Sequence, residues 1–89
     1  MTTAQAGTLE SMDCLVTVTE DPSGPKVSIS GSGAARFKSS MERTVMETLK
    51  RLGILNVSVD VQDNGAIDLV LAARVEAAVL KHRTGGEEP

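Results

Sequence analysis

Few residues of this chain have the types and spacing to do chemistry. The segment AGTLESMD, residues 6–13, holds two hydroxyls, Thr8 and Ser11, with Glu10 and Asp13 around the second. Ser11 has no helix of its own and no neighbouring histidine, so nothing activates it as a nucleophile. In an accessible segment it suits one role, acceptor of a group installed by a separate enzyme. Composition alone describes the same segment as a disordered leader. Cys14 is the one cysteine, so no disulfide forms within the chain. It opens a strand and reads as a small half-buried residue, with a reactive thiol as the alternative. His82 lies in a basic C-terminal turn with no cysteine or acid at ligand spacing, which describes a solvated helix end rather than a metal ligand. Asp60, Asp63 and Asp68 cluster along the chain without the pattern of a calcium loop. GSGAAR, residues 31–36, lacks the Lys-Ser/Thr ending of a phosphate loop. No nucleophile is joined to a base and an orienting group, so the chain alone is expected to be non-catalytic.

The elements that must position these residues fit one small domain. Eighty-nine residues bury roughly 60–70 % of the surface that the unfolded chain exposes. Phe37 is the sole aromatic residue, so the core must be Val, Leu, Ile, Ala and Met. A net charge of −3 and the lack of stacking platforms argue against nucleic acid as a partner. The N-terminus has no basic region followed by an apolar run, and no segment approaches the ~18 apolar residues of a membrane span. These features predict a cytoplasmic protein with no membrane partner.

Residues 1–12 lack periodicity and read as a flexible tail. CLVTVTE and KVSIS alternate in polarity, and DPSGP between them has turn chemistry, which predicts a first hairpin. Met41, Val45, Leu49 and Leu52 recur at helical spacing, with Met46 and Phe37 widening the stripe. Ser39 and Glu42 match a capping box, which starts this helix near residue 40 unless ARF adds a turn before it. Gly53 is placed for a left-handed stop, with Leu49 and Ile54 in contact across it. LNVSVDVQ, residues 55–62, is the clearest strand. AIDLVL follows as a fourth strand if Asp63-Asn64-Gly65 forms a three-residue loop that pairs Val61 with Ile67. The spacing by fours of Ile67, Leu71, Val75 and Val79 allows the helix AARVEAAVLKH to begin as early as residue 66 instead. The predicted fold is α+β, in the order ββαββα, with a four-stranded antiparallel sheet and two helices on one face. Residues 13–83 form the single domain, and 84–89 a disordered end.

AGTLES followed by Asp13 and a strand resembles the N-terminal motif of the citrate lyase acyl carrier protein (gamma subunit) family. DNGAIDLVLAARVEA is similar to that family at Asp63, Gly65, Ala66, Asp68, Leu71, Ala73, Arg74, Glu76 and Ala77. The resemblance covers roughly residues 6–80. Met12 departs from it, because a small residue is more usual after the serine. The resemblance implies a carrier rather than an enzyme, whose Ser11 bears 2'-(5''-phosphoribosyl)-3'-dephospho-coenzyme A through a phosphodiester. It further implies a terminal thiol on that arm which holds an acetyl thioester. A partner alpha subunit (acyl transferase) would exchange acetyl for citrate, a beta subunit (lyase) would cleave the citryl thioester, and a prosthetic-group transferase would install the arm. A citramalate lyase carrier shares this kind of arm, a malonate decarboxylase carrier is more distant in sequence, and an unmodified adaptor domain is the alternative from another class.

Overall fold

The computed structural model describes residues 3–84. Its elements are β1 (Thr3–Gly7), β2 (Asp13–Glu20), β3 (Lys26–Gly31), α1 (Ala34–Leu52), β4 (Val57–Asn64) and α2 (Asp68–Arg83). The strands form one sheet in the order β1-β2-β4-β3. Both helices pack on one face of it, α2 across β1 and β2 and α1 along β3, and the helices touch each other. The fold is α+β with four strands and two helices, but the sheet is mixed rather than antiparallel. β2 runs antiparallel to β4, with Val16 opposite Val61 and Val18 opposite Val59. β3 runs parallel to β4, with Val27 beside Val59 and Ile29 beside Val61.

The order βββαβα corrects the predicted ββαββα at three places. The first is the tail. Thr3–Gly7 is a strand paired antiparallel with β2, Thr3 opposite Thr19 and Gly7 opposite Leu15. Ala, Gln and Gly carry little strand propensity, so the segment gives no signal of its own. It forms because β2 offers an open edge and α2 a cover: Ala4 and Ala6 are buried, and Lys81 Nζ donates to the Gln5 carbonyl at 3.1 Å.

The second is the first hairpin. β2 and β3 do not pair, because β4 lies between them. A parallel pair needs a crossover of a dozen residues or more, and α1 supplies it between β3 and β4. The connection at 21–25 therefore spans two strand spacings, roughly 10 Å, rather than closing a tight turn. Asp21 ties it down: its amide donates to the Asn56 carbonyl at 2.9 Å, and Ser58 Oγ donates to its Oδ2 at 2.7 Å.

The third is the segment after Gly65. AIDLVL is not a strand, and α2 begins at Asp68. A strand would bury Ile67, Leu69 and Leu71 together, whereas Leu69 is 76 % exposed and only Leu71 of the three is buried. Leu71, Val75 and Val79 form the buried stripe of α2 on the spacing by fours. The three-residue hairpin loop at 63–65 is accordingly not formed.

Helix α1 starts at Ala34 rather than at a Ser39 cap, and its path breaks at Phe37, which has φ −122° and ψ 16°. Phe37 leaves the core stripe and is 53 % exposed, with the Arg36 guanidinium 5.2 Å from its ring centre. At the other end Gly53 is left-handed, and the Ile54 amide reaches the Leu49 carbonyl at 3.0 Å, closing the expected cap. The core is aliphatic, centred on Val16, Val18, Val45, Leu49, Val59, Val61, Val75 and Val79, with Cys14 buried among them. The expected disordered end falls mostly on residues 85–89, outside the described residues. Thr84 caps α2.

Candidate functional site

Ser11 sits at the tip of the loop between β1 and β2, and the loop is built rather than slack. It starts at Gly7, which has φ 97°, and a Cβ there would run into the Cys14 carbonyl. Only glycine fits both demands. The Thr8 amide donates to the Cys14 carbonyl at 3.1 Å, and the Thr8 hydroxyl accepts from the Glu10 amide at 3.1 Å. The Asp13 amide donates to the Glu10 carbonyl at 3.2 Å, which makes Glu10-Ser11-Met12-Asp13 a four-residue turn. Met12 holds φ 66° at the third position, where type II turns favour glycine. Its departure toward a large side chain thus falls on the one position of the turn that prefers none.

Asp13 anchors the loop from below. It is buried, and its carboxylate accepts from the Arg74 Nε at 3.0 Å and Nη2 at 2.9 Å, from the Thr8 hydroxyl at 2.8 Å and from the Cys14 amide at 2.7 Å. The Arg74 fork, helped by Thr8, lowers the Asp13 pKa from 3.8 to about 2 against the opposing effect of burial. Arg74 is raised in turn by Asp13. Asn64 anchors the loop from the side: its carbonyl accepts from the Met12 amide at 2.7 Å, and its Nδ2 donates to the Leu9 carbonyl at 2.9 Å. Gly65, left-handed at φ 94°, lies against Met12.

The Ser11 hydroxyl takes no part in this network. Ser11 is exposed, as are its neighbours Leu9 (55 %) and Met12 (71 %). The other candidate acceptors nearby are committed. The Thr8 hydroxyl is bonded to Asp13, and Cys14 is fully buried with burial pushing its thiol pKa up to about 11. The reactive-thiol reading of Cys14 is therefore corrected: the group is protonated and out of reach.

Asp60, Asp63 and Asp68 do not converge. Asp60 accepts from the Ser28 hydroxyl at 2.8 Å, and Asp68 opens α2. Asp63 is buried and bonds the amides of Gly33, Gly65 and Ala66, each at 3.0 Å. It thereby fixes the entries to both helices, a role that reading it as a turn residue missed. No group of three or more His, Cys, Asp or Glu able to hold a metal occurs among the described residues. Of the four acids before Lys26, which are Glu10, Asp13, Glu20 and Asp21, Asp13 pairs with Arg74 and Asp21 lies 3.5 Å from Lys26 Nζ.

The two segments that carried the resemblance, residues 6–13 and 63–77, meet at this loop through Asn64, Gly65 and Arg74. The sequence placed Asn64 and Gly65 in a hairpin loop and Arg74 only within the resemblance, with no signal that Asn64 and Arg74 hold the Ser11 loop. No helix among the described residues is long and apolar enough to cross a membrane.

The chain matches the family model described as ACP, malonate decarboxylase delta subunit (MdcD), over residues 1–82. It is similar to three proteins named citrate lyase acyl carrier protein. The protein of Halothermothrix orenii is 33 % identical, over 97 % of this chain and 92 % of the relative. That of Fusobacterium nucleatum is 42 % identical, over 90 % and 86 %. That of Haemophilus influenzae is 46 % identical, over 88 % and 81 %.

Proposed function

The chain belongs to the acyl carrier protein family described as malonate decarboxylase delta subunit (MdcD), and from that premise we propose that it is the acyl carrier subunit of citrate lyase, with Ser11 as the attachment point of its prosthetic group. The observation that carries this reading is the free, exposed hydroxyl of Ser11 on a loop whose every other polar side chain except that of Glu10 is engaged. The names of the relatives supply the choice of citrate lyase.

The group that fits is 2'-(5''-phosphoribosyl)-3'-dephospho-coenzyme A, joined through a phosphodiester. When attached it supplies a terminal thiol that carries an acyl thioester. Ser11 would hold it, and the residues present accommodate such a bulky anionic arm: the serine points into solvent and nothing in the loop closes over it. Of the two acids that flank it in the chain, Glu10 and Asp13, Asp13 is paired with Arg74. The chain's own contribution is tethering, which raises the effective concentration of the acyl group at the alpha (acyl transferase) and beta (lyase) subunits. A prosthetic-group transferase is the third partner, and the cytoplasm is the compartment.

Co-expression with the enzymes that make and transfer the group should give a mature chain heavier by one group, and peptide mapping should find it on Ser11. A group on Thr8 or Cys14, or no added mass, would contradict the assignment. The description of the family model favours a second reading, a malonate decarboxylase carrier. Reconstitution with each set of partner subunits separates the two, since citrate cleavage and malonate decarboxylation are different turnovers of one arm.

A further inference from the structure

The Ser11 loop is held by residues that are remote in the chain. Asn64 lies 55 residues from Leu9, and Arg74 lies 61 residues from Asp13. Asn64 pins the loop on both sides of the serine, its side chain at the Leu9 carbonyl and its backbone carbonyl at the Met12 amide, so that Asn64→Ala releases the first and keeps the second. Arg74 fixes the foot of the loop through two bonds to Asp13. Neither residue forms a hydrogen bond with Ser11. Mere closure of a hairpin needs only a two-residue turn, yet here the ladder stops at Gly7 opposite Leu15 and the chain between them folds into an anchored structure. That structure sustains Met12 in a left-handed conformation, which persists in a non-glycine residue when its surroundings over-determine it.

We infer that this loop is a preformed recognition surface for the transferase, and that Asn64 and Arg74 are positioning residues for the modification of Ser11. The inference rests on Ser11 being the acceptor. In the transfer, Ser11 Oγ forms a bond to phosphorus of a phosphoric anhydride donor while the anhydride P–O bond breaks. The leaving phosphate or diphosphate departs as the anion, and the serine proton passes to a base on the transferase. The attacking and leaving oxygens must lie in line, so a serine presented in one conformation meets the requirement far more often than one on a slack peptide. Exposed Leu9 and Met12 on either side give the enzyme apolar contact at the same surface.

The signature is kinetic. Loosening the loop lowers the fraction of chains in the competent conformation, and apparent affinity falls by that fraction while the bound complex reacts as before. The full chain, Asn64→Ala, Arg74→Met and Arg74→Lys should be followed by intact mass with a citrate lyase prosthetic-group transferase and its anhydride donor, beside a synthetic peptide of residues 6–16. Thermal melting of each variant checks that it folds. The expected result for Asn64→Ala and Arg74→Met is a KM for the carrier raised about tenfold with kcat within about twofold. Arg74→Lys should recover part of the loss, because a point charge replaces only part of the fork. The peptide should react at a kcat/KM lower by roughly 100-fold. Folded Asn64→Ala with a wild-type KM, a loss confined to kcat, or a peptide as good as the domain would each overturn the positioning role while leaving Ser11 as acceptor. A wild-type chain modified elsewhere or not at all would overturn the Ser11 assignment itself.

Discussion

The β1–β2 loop and the β2–β3 connection are built alike and differ in what they do with a serine. Each is organised by one aspartate. Asp21 accepts from the Ser23 amide at 3.0 Å, the Ser23 hydroxyl at 2.8 Å and the Ser58 hydroxyl at 2.7 Å. Asp13 accepts from Thr8, the Cys14 amide and the Arg74 fork. Both carboxyls are held well below the ordinary range, Asp21 chiefly by the Ser58 hydroxyl and Asp13 chiefly by Arg74. In the β2–β3 connection the serine is part of the scaffold. In the β1–β2 loop Thr8, Asn64 and Arg74 hold the shape, and the Ser11 hydroxyl is left over. A loop that only has to span a gap can use its own serine. A loop that leaves its serine free is held instead by Thr8 within it and by residues of β4 and α2.

Substitutions that break the loop's own geometry should have the largest effect. Gly7→Ala forces a side chain into the Cys14 carbonyl at a left-handed position and should destabilise by about 3 kcal/mol in urea unfolding, from backbone strain and overpacking together. Ser23→Ala removes one exposed hydroxyl bond and should cost about 1 kcal/mol or less. Equal costs would mean that the backbone of the β1–β2 loop is no more constrained at Gly7 than the β2–β3 connection is at Ser23.

The Asp13–Arg74 pair makes the comparison depend on pH. The folded-state pKa of Asp13 is lowered from 3.8 to about 2, so the contribution of the pair is fully present above about pH 4 and is lost as pH falls toward 2. Arg74 stays charged throughout. Urea midpoints of the wild type and Arg74→Met should therefore differ at pH 7 and converge near pH 2. A gap that is constant over that range would remove the pair as the foot of the loop.

The smallest expected effect is a gain. Met12→Gly relieves roughly 1 kcal/mol of left-handed strain and gives back about half of that as unfolded-chain entropy. It should raise stability by about 0.5 kcal/mol in the same assay. A loss would show that the Met12 side chain contributes packing despite its exposure.

How far the sequence foretold this architecture follows from where each signal lies. The valine alternation of β2 and β4 and the Gly53 cap of α1 are local patterns, and the structure has all three. β1 is invisible because Ala4 and Ala6 are chosen for their small size beneath α2, not for strand propensity. The start of α2 is ambiguous because Ile67, Leu69 and Leu71 satisfy the strand period while Ile67, Leu71 and Val75 satisfy the helix period. Only the exposure of Leu69 decides. The insertion of β4 between β2 and β3 is a long-range outcome that no window of sequence contains. For the site, the motif at residues 6–13 drew attention to Ser11 and Asp13. The anchors Asn64 and Arg74 lie 55 and 61 residues from their partners, and only the fold brings them there.

On the proposed function, Ser11 is presented for modification and Ser23 is not. The most direct measurement is intact mass and melting temperature on Ser11→Ala and Ser23→Ala, each co-expressed with the enzymes that make and transfer the prosthetic group. Ser11→Ala should melt like the wild type and carry no added mass. Ser23→Ala should carry the full group and melt lower. A group retained on Ser11→Ala, or a Ser11→Ala chain that melts well below the wild type, would contradict the account.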